Sequence, residues 1–68
     1  MNTFKLNTEF IELIKLLKAV GIAENGGHAQ ALVEANEVKV NGTVETRKRA
    51  KLRSGDKVET PYGSVLIE

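Results

Sequence analysis

Apolar residues change their spacing several times along the 68-residue chain, and each change marks an element. Phe4 and Leu6 flank Lys5 in a short alternation, which predicts an edge strand. From Thr8 the spacing lengthens, and Phe10, Leu13, Ile14, Leu17 and Val20 recur at intervals of three and four, as on one face of a helix. Thr8 is placed to cap the amino end of that helix, Glu9 and Glu12 suit the positive end of its dipole, and Gly21 closes it. Ile11 and Leu16 fall off the main stripe, so this helix is expected to be buried on more than one side or to meet a partner.

Glu24-Asn25-Gly26-Gly27 separates the first helix from a second, in which Ala29, Leu32 and Val33 supply a small apolar face. Asn25 is its expected cap, and Asn36 suits the left-handed conformation that ends helices. Val38-Lys39-Val40 then alternates, Asn41-Gly42 is a strong hairpin signal, and Thr43-Val44 begins the return strand. If the segment Glu45 to Arg53 continues extended, Arg47, Arg49, Lys51 and Arg53 share one side, while Val44, Ala50 and Leu52 face the other. Ser54-Gly55-Asp56 predicts a turn, and Lys57 to Thr60 with Ser64 to Ile67 predict a last hairpin around Pro61-Tyr62-Gly63. The pattern predicts an α+β fold, residues 1–68 forming one domain in which two short helices pack on a small, mostly antiparallel sheet.

Size and composition narrow the chemistry. A chain of this length buries only about 60% of the surface its unfolded form exposes, enough for one thin core but not for a deep two-domain cleft. With no Cys and one His, disulfides, thiolate nucleophiles and the usual zinc sites drop out. The longest apolar-rich run, Phe10 to Ile22, is broken by Glu12, Lys15 and Lys18, so no membrane span is expected. The first residues lack the basic stretch and continuous apolar block of a secretory signal, and a cytoplasmic location is the expectation.

Charge changes the picture when it is resolved along the chain. The overall value is +1, but Met1 to Val38, with three Lys against five Glu, carries −2. Lys39 to Lys57, with seven basic and two acidic residues, carries +5, and Val58 to Glu68 carries −2. Every Arg of the chain falls between positions 47 and 53. Edge protection of a sheet is served by a Lys or two, whereas Arg offers a planar fork of donors that suits phosphate oxygens. Arg47, Lys48, Arg49, Lys51 and Arg53, with Lys39 on the neighbouring strand and Lys57 beyond the turn, therefore point to a polyanion.

Other candidates carry less. Asn25-Gly26-Gly27 offers free helix amides and room for an anion, although most such termini serve only as a cap with a flexible turn. His28-Ala29 follows the glycines where a nucleotide-triphosphatase loop has Lys and Ser or Thr. His28 has no orienting carboxylate or nucleophile near it in sequence, the Glu residues are scattered over positions expected to face solvent, and no catalytic set, cofactor site or metal-ligand set emerges. Phe4, Phe10 and Tyr62 are the only aromatic residues, with Phe10 assigned to the helix stripe, so a stacking platform for single-stranded bases is not expected. Recognition resting on phosphates and shape favours structured RNA, and charge alone leaves DNA open.

Ala29, Leu32-Val33, Val38-Lys39-Val40-Asn41-Gly42 and Gly55-Asp56 together resemble the S-four RNA-binding domain, a helix-helix-sheet module carrying the αL motif. Gly42-Thr43-Val44-Glu45-Thr46-Arg47-Lys48-Arg49 is similar to the stand-alone bacterial YbcJ-type members of that family. The family's usual Ser-Arg falls on Asn25-Gly26, which removes an Arg from the second helix, and its helix-ending Gly is replaced by Asn36. The resemblance implies RNA binding without catalysis, to ribosomal RNA or a precursor, in a groove between the second helix and the basic strand. Its implied contacts are Arg47, Lys48, Arg49, Lys51 and Arg53, with Lys39 and Asn41 at the hairpin margin and Asn25, Gly26, Gly27 and His28 at the helix start. No cofactor, membrane or small-molecule partner is implied, and a monomer is expected. The alternative is a protein-interaction adaptor, its basic stripe meeting an acidic partner and Ile11 and Leu16 adding an apolar contact.

Overall fold

The computed structural model describes residues 2–68. In chain order the elements are β1 (Asn2–Phe4), β2 (Ile11–Glu12), α1 (Leu13–Ala19), α2 (Gly26–Glu34), β3 (Lys39–Val40), β4 (Thr43–Val44), β5 (Lys51–Leu52), β6 (Lys57–Thr60) and β7 (Gly63–Ile67). The main sheet has the order β1-β7-β6-β3-β4, antiparallel throughout except for β1, which runs parallel to β7 at the edge. A separate antiparallel pair, β2-β5, sits where the chain enters α1. The α+β expectation holds.

The helix ends follow from local chemistry. Asn25 is extended, and its side-chain oxygen accepts the His28 amide at 2.8 Å, as expected of a cap. His28 Nδ1 in turn accepts the Glu24 amide at 3.1 Å, a reciprocal arrangement like that of a capping box. At the other end Asn36 adopts φ 59°, and the amides of Asn36 and Glu37 bond to the carbonyls of Val33 and Leu32. That is a Schellman ending with Asn where Gly is usual. Asn41 and Gly42, at φ 52° and 85°, give the β3-β4 hairpin its tight turn.

Two expectations require correction. The first helix begins at Leu13, not near Thr8, because Ile11 and Glu12 run extended and pair with Leu52 and Lys51. The Leu13 amide then bonds to the Ala50 carbonyl at 2.9 Å, so a residue just before β5 supplies the partner that a longer helix would have supplied internally. Thr8 caps nothing; its hydroxyl donates to the Phe10 carbonyl at 2.8 Å. Nor is Glu45 to Arg53 one strand. The chain turns at Lys48-Arg49, with the Ala50 amide bonded to the Arg47 carbonyl, and only Lys51–Leu52 is paired. Burial explains the break: turning drives Ala50 and Leu52 into the core, while Val44, assigned to the same face, stays 39% exposed.

Leu13, Leu16 and Leu17 from α1, Ala29, Leu32 and Val33 from α2, and Val38, Val58, Val65 and Ile67 from the sheet and its approach form one buried cluster with Ala50 and Leu52. Leu16, off the stripe by spacing alone, is fully buried, and Ile11 is half-buried against the same cluster. Among the described residues no helix is long and apolar enough to cross a membrane, and no polar or charged residue is buried.

Candidate nucleic-acid interface

The connection from β4 to β5 carries the densest positive charge, and glutamates pin it in three places. Glu45 accepts the Arg47 backbone amide at 2.9 Å, its Nε at 3.1 Å and its Nη2 at 3.2 Å. Lys48 Nζ lies 3.0 Å from Glu34 at the end of α2, and Arg49 Nε lies 3.2 Å from Glu12 just before α1. The loop is thus seated across the carboxy end of α2 and the amino end of α1. The scattered, solvent-facing glutamates of the sequence pattern are here anchors, and the Glu45 side chain is only 14% exposed.

These ion pairs do not hide the cations. The side chains of Arg47 and Arg49 remain 76% and 82% exposed, so each guanidinium keeps donors facing solvent. The hydrogen bond from Arg47 holds the Glu45 carboxyl below its usual range, against the opposing effect of desolvation, and Glu45 raises Arg47 further above neutrality. Both groups are charged at physiological pH. Exposed pairs of this kind add little stability. Their effect is to fix where the loop presents its charge.

The other candidates distribute around this loop. Lys51 in β5 is opposite Glu12 and places its ammonium 4.8 Å from the centre of the Phe10 ring. Arg53 is exposed, its backbone amide held by Asp56 at 2.8 Å. Lys39 is exposed on β3, flanked in register by Val44 and Glu59. The Asn41 side chain is committed to structure: Nδ2 donates to Asp56 and Oδ1 accepts the Lys57 amide, both at 3.0 Å, which ties the hairpin to the turn before β6. Asn25, Gly26, Gly27 and His28 lie at the far end of α2 from Glu34 and Lys48, about 12 Å away along the helix axis. Their polar groups serve the cap, and the structure does not bring them to the basic loop.

Phe10 and Lys15 border the loop as well, and sequence spacing had hidden them. A groove of about 550 Å³ runs between the β2 approach and Arg49, lined by both residues together with Glu9 and Glu12. Nothing in the local pattern signals the contact of Glu12 with Arg49, 37 positions apart. The pairing of Glu45 with Arg47, two residues on, is by contrast local in sequence. Among the described residues no cluster of His, Asp or Glu is arranged to hold a metal ion.

Comparison with known proteins finds relatives of nearly the whole chain and of its fold. The S4 domain profile matches residues 4–68. The chain is 41% identical over 68 residues to YbcJ of Escherichia coli strain K12, a protein named provisionally for RNA binding, covering 98% of this chain and 97% of that one. It is 36% identical over 67 residues to RlbA of Bacillus subtilis strain 168, named as a probable ribosome maturation protein, covering 97% and 94%. The solution structure of E. coli YbcJ, described as revealing an αL motif involved in RNA binding, matches with a TM-score of 0.74 at 40% identity. That match covers 98% of this chain and 86% of the solved one.

Proposed function

The chain belongs to the S4 domain family, and from that premise we propose that it is a non-catalytic module that binds structured RNA in the cytoplasm, its target being ribosomal RNA or a ribosomal precursor. Contact is made through the β4-β5 loop and the adjoining end of α2. The observation that carries this reading is the pair of guanidinium groups at Arg47 and Arg49, fixed in place by Glu45 and Glu12 yet largely exposed. A preset fork of donors meets phosphate oxygens without first losing the freedom of a mobile side chain. The names of YbcJ and RlbA support the RNA and the ribosomal context respectively.

The adaptor alternative loses its apolar half. Leu16 is buried in the core and Ile11 is half-buried against it, so little apolar surface remains for a protein partner. What remains is charge, for which phosphates compete at least as well as carboxylates. Fluorescence anisotropy with a structured ribosomal RNA fragment tests the proposal directly. Arg47→Ala with Arg49→Ala should weaken binding about tenfold or more, on the basis of two charge-assisted hydrogen bonds lost and two glutamates left uncompensated. Undiminished affinity in a folded double variant overturns the assignment. Retention of a protein partner after complete RNA digestion would instead favour the adaptor.

A further inference from the structure

Phe10 is an aromatic side chain that the core does not use. Phe4, Leu6, Ile11 and Ile14 are among the partly buried residues packed against the core, whereas Phe10, among the described residues, is not. Its ring instead receives the Lys51 ammonium and forms part of the groove beside Arg49. At about 550 Å³ that groove is within the range of small-ligand sites.

The charges around the ring define what fits. Glu9 and Glu12 line the groove, so a phosphate placed against its wall meets like charge, while Lys15 and Arg49 offer cations in the same lining. Arg49 takes one oxygen of Glu12 and leaves the other to accept a donor. An aromatic face, a fixed carboxylate and flanking cations are complementary to a flat ring with N–H donors on its edge and phosphates on either side. A nucleotide in RNA presents that combination only when it is unpaired.

We propose that this groove takes one unpaired nucleotide of the bound RNA. Its base stacks on Phe10 in place of the Lys51 ammonium, its edge donates to Glu12 or Glu9, and its flanking phosphates meet Arg49 and Lys15. Guanine suits the site best, because N1–H and the amino group offer two donors where the free oxygen of Glu12 and the carboxylate of Glu9 offer acceptors. Uracil suits it least, because its one N–H lies between two carbonyls. The inference rests on the RNA-binding reading and adds to it a position where the base itself is read, on a surface that otherwise contacts phosphates.

The test compares two hairpin RNAs with the full chain, each closed by a non-nucleotide linker so that the loop presents no unpaired base: one with a completely paired stem, and one with the same stem carrying a single unpaired guanosine. The unpaired guanosine should tighten binding roughly 5- to 150-fold, the range of a base stacked on an aromatic side chain. An unpaired uridine should give a smaller gain. Phe10→Leu, checked for an unchanged thermal melt, should abolish most of the gain while leaving affinity for the paired stem intact. Equal affinity of the wild type for paired and bulged hairpins, or a gain that Phe10→Leu leaves untouched, overturns the inference while binding to the paired stem upholds RNA recognition. Failure to bind any hairpin overturns both.

Discussion

Arg47 and Glu45 illustrate how much a single pair decides. Because the hydrogen bond from Arg47 lowers the Glu45 carboxyl below its ordinary value of 4.5, the folded state binds that proton less readily than the unfolded chain. The contribution of the pair to stability is therefore complete above the ordinary value and is lost as pH falls through the lowered one. Carboxyl-detected NMR titration should place the Glu45 midpoint below 4.5, and Arg47→Ala should raise it; a midpoint indifferent to that substitution refutes the assigned cause. Asn41 offers a second residue-scale test. It combines a left-handed backbone, φ 52°, with two side-chain hydrogen bonds across to Asp56 and Lys57. Asn41→Gly keeps the backbone conformation and removes the bonds, for an expected loss of about 1 kcal/mol. Asn41→Ala adds the strain of a β-carbon in that conformation, for about 2 kcal/mol or more. Urea unfolding of the two variants separates the contributions, and equal losses would mean that the backbone strain is absent.

At the scale of elements, the start of α1 shows where spacing misleads. Residues at intervals of three and four describe a helix from Phe10 as well as from Leu13, and only pairing with β5 ends the ambiguity. Leu16, three residues after Leu13, stands with Leu13 and Leu17 at the centre of the core, while Ile14, which had set the stripe to one side, is half-buried. Leu16→Ala should cost about 2–5 kcal/mol, by lost transfer energy and the cavity left behind. A chain of this size has little more stability than that to lose, so circular dichroism should show the variant largely unfolded at ambient temperature. Ile11→Ala, at a half-buried position, should remain folded with a lowered melting temperature. α2 was more legible, because Asn25, Asn36 and the apolar residues between them act within the helix itself.

Across the whole molecule, a net charge of +1 conceals a basic middle flanked by acidic ends. Folding gives that separation a purpose: Glu12 and Glu34 from the acidic block, together with Glu45, clasp the basic loop and hold it outward. Binding to structured RNA should weaken linearly in log affinity against log salt, with a slope set by the phosphates neutralised. For the double variant Arg47→Ala/Arg49→Ala the slope should fall in magnitude by somewhat less than one per lost contact, whatever the RNA sequence. A slope unchanged by the substitutions would place the contacts elsewhere. The presence of Phe10 in a groove adjoining the same loop adds a position where sequence-specific discrimination can enter.

The succession of two helices, the β3-β4 hairpin and the last hairpin, both caps of α2, the Asn41-Gly42 turn and the concentration of Arg were all determined within a few residues of one another, and so could be inferred from the chain alone. Neighbours in sequence settle such features, because capping, turn geometry and local charge act over short range. Other features depend on residues that are distant until the chain folds. The pairing of Ile11 with Leu52 shortened the first helix, the burial of Ala50 broke the basic strand, and Glu12 found Arg49 across 37 positions. Spacing made Phe10 a core residue, and the tertiary structure placed it in an open groove beside the cations, because strand pairing at Ile11 began the helix too late to include it.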